Sequence, residues 1–275
     1  MKIAIVYNGM RAKACKGAEQ LRVHGAEHGL DLAFFKFGEG IELAPPVDRF
    51  DRVISLGGDG TLLRAAALFR QAGAPPVLGI NFGKVGFLTG ADGENLIEAF
   101  DYAISENPRI ERRALLDVVV ECQDGRTRAA QALNELVIGR ARNARIVATE
   151  LHINGERIYN LRGDGLIIST TTGSTAYALS AGGPVVAPGY DGMVVVPLAS
   201  HTLVQRAIVT APGDEVQITL PDEDKAAITL SCDGVEIEAD QCPVERVTVR
   251  VSDSFVGLIK LNNYSFYRAL ANEFF

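Results

Sequence analysis

The chain has 275 residues, with 27 Lys+Arg against 34 Asp+Glu and a formal net charge of −7. Hydrophobic residues make up 47% and charged residues 22%, enough apolar material for a core and too much for a wholly disordered chain. An acidic balance argues against non-specific nucleic-acid binding, which needs a basic surface to release counterions, and no run of about 18 apolar residues offers a membrane span. The four cysteines, Cys15, Cys122, Cys232 and Cys242, form no CxxC pair. They fit a reducing cytoplasm better than a disulfide framework.

The apolar run Ile3–Tyr7 is too short for a signal-peptide core and reads as a buried strand. Residues 11–28 follow as a helix, with Gly29 just past its end. Leu32–Phe37 and Arg52–Leu56 are strands, Thr61–Ala72 is a helix, Val77–Asn81 a fourth strand and Asn95–Ser105 another helix. Continuous apolar strands alternating with helices predict a parallel sheet covered on both faces. After Pro108 the punctuation changes. Asp124-Gly125 and Asn154-Gly155 are hairpin signals, and from Val194 to Val251 short strands are broken by Pro212-Gly213, Pro221-Asp222 and Asp233-Gly234. That spacing predicts a sandwich. Ser174–Ala181 is the one helix-like piece of this half, and Tyr264–Phe275 is a second helix-compatible stretch, placed to return to the first domain. The domains expected are 1–107, α/β with a glycine-rich phosphate and catalytic loop; 108–252, β-rich and dinucleotide-binding; and a C-terminal segment, 253–275.

Three segments carry chemistry. Gly57-Gly58-Asp59-Gly60-Thr61 lies between a strand and a helix, where absent Cβ atoms let a backbone turn sharply against a ligand. The helix that follows offers free N–H groups to phosphate. Asp59 is out of place beside phosphate unless it faces a hydroxyl and accepts its proton as that oxygen attacks phosphorus; otherwise it is a helix cap. No Walker loop is present, since Leu78 and Val85 stand where Gly and Ser or Thr are required, and Leu63 spoils a dinucleotide fingerprint.

The second segment, Gly163-Asp164-Gly165 through Thr175-Ala176-Tyr177, runs a buried strand into a cluster of hydroxyls and a helix start. It suits ribose, amide or phosphate oxygens, with N-capping as the plainer role. The third is Asn134-Glu135 inside the otherwise apolar strand Ala132–Ile138. Asn can pair an adenine edge or a carboxamide, and Glu can accept from both hydroxyls of a ribose; two solvated side chains at a strand end are the alternative. His24-Gly25-Ala26-Glu27-His28 has the HxxEH zinc-peptidase spacing, but Gly25 and Gly29 weaken the helix, and histidines at a helix C-terminus complement its dipole. His201 reads as structural, and Asp222-Glu223-Asp224 as a solvated turn.

With these residues in view the chain resembles the ATP-NAD kinase family over most of its length. The match comprises Gly57–Thr61, Gly79–Thr89, Leu133-Asn134-Glu135, and Gly163–Gly165 through Thr175 to Pro184. The first motif is shared with lipid kinases and phosphofructokinases; all four in this order are specific to NAD kinases. The resemblance implies an α/β domain with a parallel sheet, an all-β sandwich-like domain, and NAD bound between them, often at a subunit interface. It implies phosphoryl transfer from ATP, or another phosphate donor, to the 2′-hydroxyl of NAD's adenosine ribose. Mg²⁺ or another divalent cation would be held mainly through the donor phosphates, with no metal-ligating residue of its own. Asp59 is then the general base and Gly60 lies beside donor and NAD. Asn134 and Glu135 hold the adenosine part, while Asp164, Thr175, Ala176, Tyr177, Ala178, Leu179 and Ser180 contact the rest. Arg145 and Arg162 are weaker carry-overs. A homodimer or homotetramer in the cytoplasm, without nucleic-acid or membrane partners, is implied. Thr171, Ala199-Ser200 and Val235 depart from the family's usual Pro, Cys-Pro and Gln. The rivals are a lipid or sugar kinase sharing the glycine loop and a non-enzymatic dinucleotide-binding regulator, in which Asp59 has no purpose.

Overall fold

The computed structural model describes residues 1–38, 43, 46–70, 73–83, 86–141, 146–199, 206–221, 228–237, 243–262 and 264–274. It divides into two compact units. Met1–Arg113 with Phe255–Phe275 form the first and Ala114–Ser254 the second.

In the first unit β1 (Lys2–Asn8), β2 (Asp31–Phe37), β3 (Arg52–Leu56) and β4 (Val77–Asn81) pair in parallel in the order β2-β1-β3-β4, with the two-residue β5 (Ala91–Asp92) on β4. β1, β3 and β4 are buried on both faces, whereas the edge strand β2 is mostly half-buried. Ile3, Ile5, Ile54, Leu56, Leu78 and Ile80 pack against α1 (Ala12–Glu27) and α3 (Leu96–Ile104) through Ala18, Leu21, Ala99 and Phe100. α2 (Asp59–Phe69) lies against β3 and β4, and its Phe69 stacks edge-on with Phe35 and Phe50 at 5.1 and 5.2 Å. This unit is the predicted α/β fold, and α2 begins two residues earlier than the sequence suggests. α5 (Phe266–Phe274), which falls in the C-terminal stretch, also belongs to it.

The second unit is antiparallel. Its strands are β6 (Ile110–Cys122), β7 (Thr127–Ala132), β8 (Glu135–Arg140), β9 (Val147–Ile153), β10 (Glu156–Gly163), β11 (Gly165–Ser169), β12 (Val194–Leu198), β13 (Ile208–Val209), β14 (Glu215–Thr219), β15 (Ile228–Cys232), β16 (Val235–Glu236) and β17 (Val244–Ile259). The chain crosses between the units within β6 and within β17. One set runs β10-β9-β14-β17 with the β6–β7 hairpin, and a second sheet runs β13-β12-β11-β8-β15-β16. Alternate residues build the core between them, as Val118 and Val120 are buried while Val119 is exposed. β11 breaks that alternation. Leu166 and Ile168 face this core, while Ile167 packs with Ala178, Val194 and Val196 on the other face, so the strand is apolar throughout.

Two local expectations are corrected. Residues 174–181 do not form one helix: a 3-10 turn, Gly173–Thr175, is separated by Ala176 from the four-residue α4, Tyr177–Ser180. The Ser174 hydroxyl donates to Thr171 O at 2.7 Å and accepts from Val186 N at 3.0 Å, and Thr175 donates to Thr172 O at 3.3 Å. Such local bonds draw the backbone away from a regular helix. Nor does Asn134-Glu135 sit mid-strand, because β7 ends at Ala132 and β8 starts at Glu135. No helix of the described residues is long and apolar enough to cross a membrane.

Candidate active site

In the first unit β3 delivers the chain through Gly57-Gly58 directly into α2. A cavity of about 690 Å³ opens there, edged by Arg11 and Lys13 at the start of α1 and by Gly58, Gly60 and Arg64 at the start of α2. Neither helix is capped by a side chain, from Arg11 in one case or Gly58 in the other. Two uncapped helix N-termini and three cationic side chains around one cavity favour a multiply charged anion.

Asp59, the first residue of α2, does not line this cavity although its neighbours Gly58 and Gly60 do. Its carboxylate turns onto residues 86–89. Oδ2 accepts from Phe87 N at 3.0 Å and Leu88 N at 3.3 Å, and Oδ1 accepts from Thr89 N at 3.1 Å. These amides, and not the helix's own, occupy the carboxylate. A carboxylate offers about four acceptor positions, so one remains on Oδ1. A Cβ on Gly86 would stand 2.4 Å from Oδ1, so only glycine lets the carboxylate settle there.

Behind the same segment lies Lys260. The whole residue is buried, and its Nζ donates to Phe87 O, Leu88 O and Thr89 O at 3.2, 2.6 and 3.2 Å. The Tyr264 hydroxyl adds a 2.7 Å bond to Phe87 O, and its ring centroid lies 3.8 Å from the ammonium. Burial lowers the Lys260 ammonium to about 7, with Arg113 acting in the same direction and Glu111 and Asp59 opposing.

The second unit holds Asn134 and Glu135 at the bend that opens β8. Asp233 accepts from Leu133 N, Asn134 N and Glu135 N at 2.7, 2.8 and 3.2 Å. On the carbonyl side, Thr170 Oγ1 donates to Leu133 O at 2.6 Å and Ser169 Oγ to Asn134 O at 3.1 Å. Gly173 packs so closely that a Cβ there would meet Asn134 O at 2.3 Å. Asn134 Oδ1, Glu135 Oε2 and Thr172 Oγ1 are buried without a hydrogen-bond partner among the described residues. Buried polar atoms are rarely left so, and these three are open to hydrogen bonds from a polar molecule placed against them. Desolvation, then the nearby Asp233 charge, raises the Glu135 carboxyl to about 7; the backbone N–H of Tyr177 opposes the rise. Glu135 and Tyr177 are thus brought together.

The remaining predicted residues are more scattered. Asp164 is exposed and accepts from Arg140 Nε at 2.8 Å, and Arg162 is exposed on β10. Thr175, Ala176 and Leu179 are half-buried, Ala178 is buried, and Tyr177 and Ser180 are exposed. Gly60 is exposed at the cavity. Of the departures, Thr171 is buried and Val235 exposed. Ala199 is described, whereas Arg145, Ser200, His201, Cys242 and Asp222–Asp224 lie outside the described residues. His24 Nε2 pairs with Asp101 Oδ1 at 2.8 Å and His28 Nδ1 meets His24 O at the end of α1.

Residues 43–107 match the ATP-NAD kinase N-terminal domain and residues 133–261 the ATP-NAD kinase C-terminal domain. An NAD kinase of Chlorobium luteolum is 35% identical over 280 residues, spanning 99% of this chain and 96% of that one. The chain belongs to the ATP-NAD kinase family. An NAD kinase from Archaeoglobus fulgidus, solved with ATP, superposes with a TM-score of 0.78 at 26% identity over 99% of this chain and 98% of that one. A yeast NADH kinase solved with NADH gives a TM-score of 0.85 at 21% identity over 100% of this chain and 87% of that one, which establishes the shared fold. The family's two domain matches contain the glycine loop with residues 86–89, and Asn134-Glu135 with Lys260, respectively.

Sequence reasoning missed Arg11, Lys13 and Arg64 at the cavity, Asp233 beneath Asn134-Glu135, and Lys260. Arg64 follows Gly60 by one helical turn, on the face that follows the loop. Lys260 closes the apolar run Val256–Ile259, and a lysine ending a buried strand is a visible anomaly.

Proposed function

We infer that this protein is an NAD kinase, moving the terminal phosphoryl group of ATP to the 2′-hydroxyl of the adenosine ribose of NAD and giving NADP. The observation that carries the reading is Asp59. It opens an uncapped helix beside a cationic cavity, and three amides fix its carboxylate with one acceptor position left over.

Phosphoryl transfer asks for positioning and charge neutralisation more than for covalent chemistry. The donor's phosphates fit the cavity edged by Arg11, Lys13 and Arg64, with the N-termini of α1 and α2 directed at them. The ribose hydroxyl meets the remaining lone pair of Asp59 Oδ1. As its oxygen bonds to the γ-phosphorus, the bond to the β–γ bridging oxygen breaks, ADP leaves and Asp59 takes the proton. A sugar hydroxyl is too weak an acid to ionise near neutrality, so a positioned base matters late in the transfer. A divalent cation, when bound, neutralises the donor phosphates. The cation would be held mainly through the donor's phosphate oxygens.

Asn134 and Glu135 take the adenosine part of NAD, where their unpartnered buried oxygens supply acceptors. Asp164 and the 175–180 segment take the rest, with Arg162 and Arg145 as outlying contributors. A homodimer or homotetramer acting in the cytoplasm completes the reading. Purified protein with Mg²⁺, NAD or NADH, and ATP or polyphosphate should yield phosphorylated dinucleotide. Absence of that product with every donor, with a diacylglycerol or hexose phosphate phosphorylated instead, overturns it.

A further inference from the structure

We propose that Lys260 is a positioning residue for Asp59, holding the carbonyls of residues 87–89 so that the amides of the same stretch present a fixed cradle to the carboxylate. The proposal rests on the assignment of Asp59 as the base. Residues 87 and 88 form a bend, outside any helix or strand, so no ladder of backbone bonds orients them. The side chains do so instead. Asp59 accepts from three consecutive N–H groups, and Lys260 donates to the three carbonyls of the same residues. The ammonium has three donors and the segment supplies three acceptors, so the match is complete.

Burying an ammonium is costly and persists only where its hydrogen bonds are satisfied. A methionine would fill the same volume without that cost, which makes Lys260 anomalous as core packing. The groups around it are Asp59, Glu111, Arg109, Arg113 and the Tyr264 ring. Arg113 Nη2 donates to Glu111 Oε2 at 2.8 Å, and the donors that reach the 87–89 carbonyls are Lys260 Nζ and the Tyr264 hydroxyl. Below its titration the ammonium serves all three carbonyls; the neutral amine has two N–H groups and must release one.

The test is a double-mutant cycle of Lys260→Met with Asp59→Asn, read as kcat, as KM for NAD and as hydrogen exchange at Phe87, Leu88 and Thr89. Lys260→Met should lower kcat about 10²-fold, the cost of a misplaced catalytic group, with KM for NAD within about threefold and protection of the three amides lost. Lys260→Arg, which keeps charge and donors, should recover most of the loss. In the Asp59→Asn background Lys260→Met should cost nothing further, because the two act through one group. Tyr264→Phe keeps the lysine and should give a smaller loss of the same non-additive kind, which covers the case in which Lys260→Met does not fold. Losses that multiply, or an active Lys260→Met enzyme with protected amides, overturn the proposal and leave the NAD kinase reading intact. A wild-type protein that makes no NADP defeats both.

Discussion

Each unit contains one short irregular segment clamped in the same way, a carboxylate on its amides and donors on its carbonyls. In the first, Asp59 takes the amides of 87–89, and Lys260 with Tyr264 takes the carbonyls. In the second, Asp233 takes the amides of 133–135, and Ser169 with Thr170 takes the carbonyls. The roles are reversed. The first clamp supports the carboxylate, which is the reactive group, whereas the second uses its carboxylate to support the segment, whose side chains Asn134 and Glu135 are the binding groups. The donors differ accordingly. Two neutral hydroxyls hold the carbonyls of the second segment, and a buried ammonium with one phenol hydroxyl holds those of the first.

Five substitutions separate the clamps. Asp59→Asn has the largest expected effect, a fall in kcat of about 10²–10⁴-fold with NAD affinity retained, checked by steady-state kinetics and calorimetry. Asp233→Ala should act through stability and affinity instead. It orphans three amides of a buried segment at about 1 kcal/mol or more each, so chemical denaturation should register a loss of about 3 kcal/mol and titration a weaker grip on NAD. Gly86→Ala pushes a Cβ into the Asp59 carboxylate and should lower kcat about 10²-fold with unchanged NAD binding. Its counterpart in the second unit, Gly173→Ala, should weaken NAD binding. The last effect is electrostatic. The Glu135 carboxyl is raised from 4.5 to about 7, so the folded protein holds a proton that the unfolded chain has lost between those values. Its contribution to stability is complete below pH 4.5 and is lost as pH rises through about 7. Thermal melts of wild type and Glu135→Gln from pH 5 to 8 should show that slope only in the wild type.

The strands β1 to β4 were legible because unbroken runs such as Ile3–Tyr7 admit few readings beyond a strand buried on both faces. The hairpins at Asp124-Gly125 and Asn154-Gly155 were legible from turn chemistry. The 174–181 stretch was not, because Ser174 and Thr175 choose nearby carbonyls over a helical ladder, a competition that composition leaves undecided. In the site, Asp59 stood out as a carboxylate where phosphate was expected. Lys260 and Asp233 were opaque because each acts on a segment far away in sequence, 171–173 residues in one case and 98–100 in the other. Such pairings exist only after folding.

The central claim is that the carboxylate clamped by residues 87–89 receives the proton of the attacking hydroxyl. The kcat of NADP formation, compared between wild type and Asp59→Asn under saturating NAD and ATP, tests it most directly. A fall of about 10²–10⁴-fold with NAD still bound is the predicted result; an undiminished rate in Asp59→Asn would contradict it.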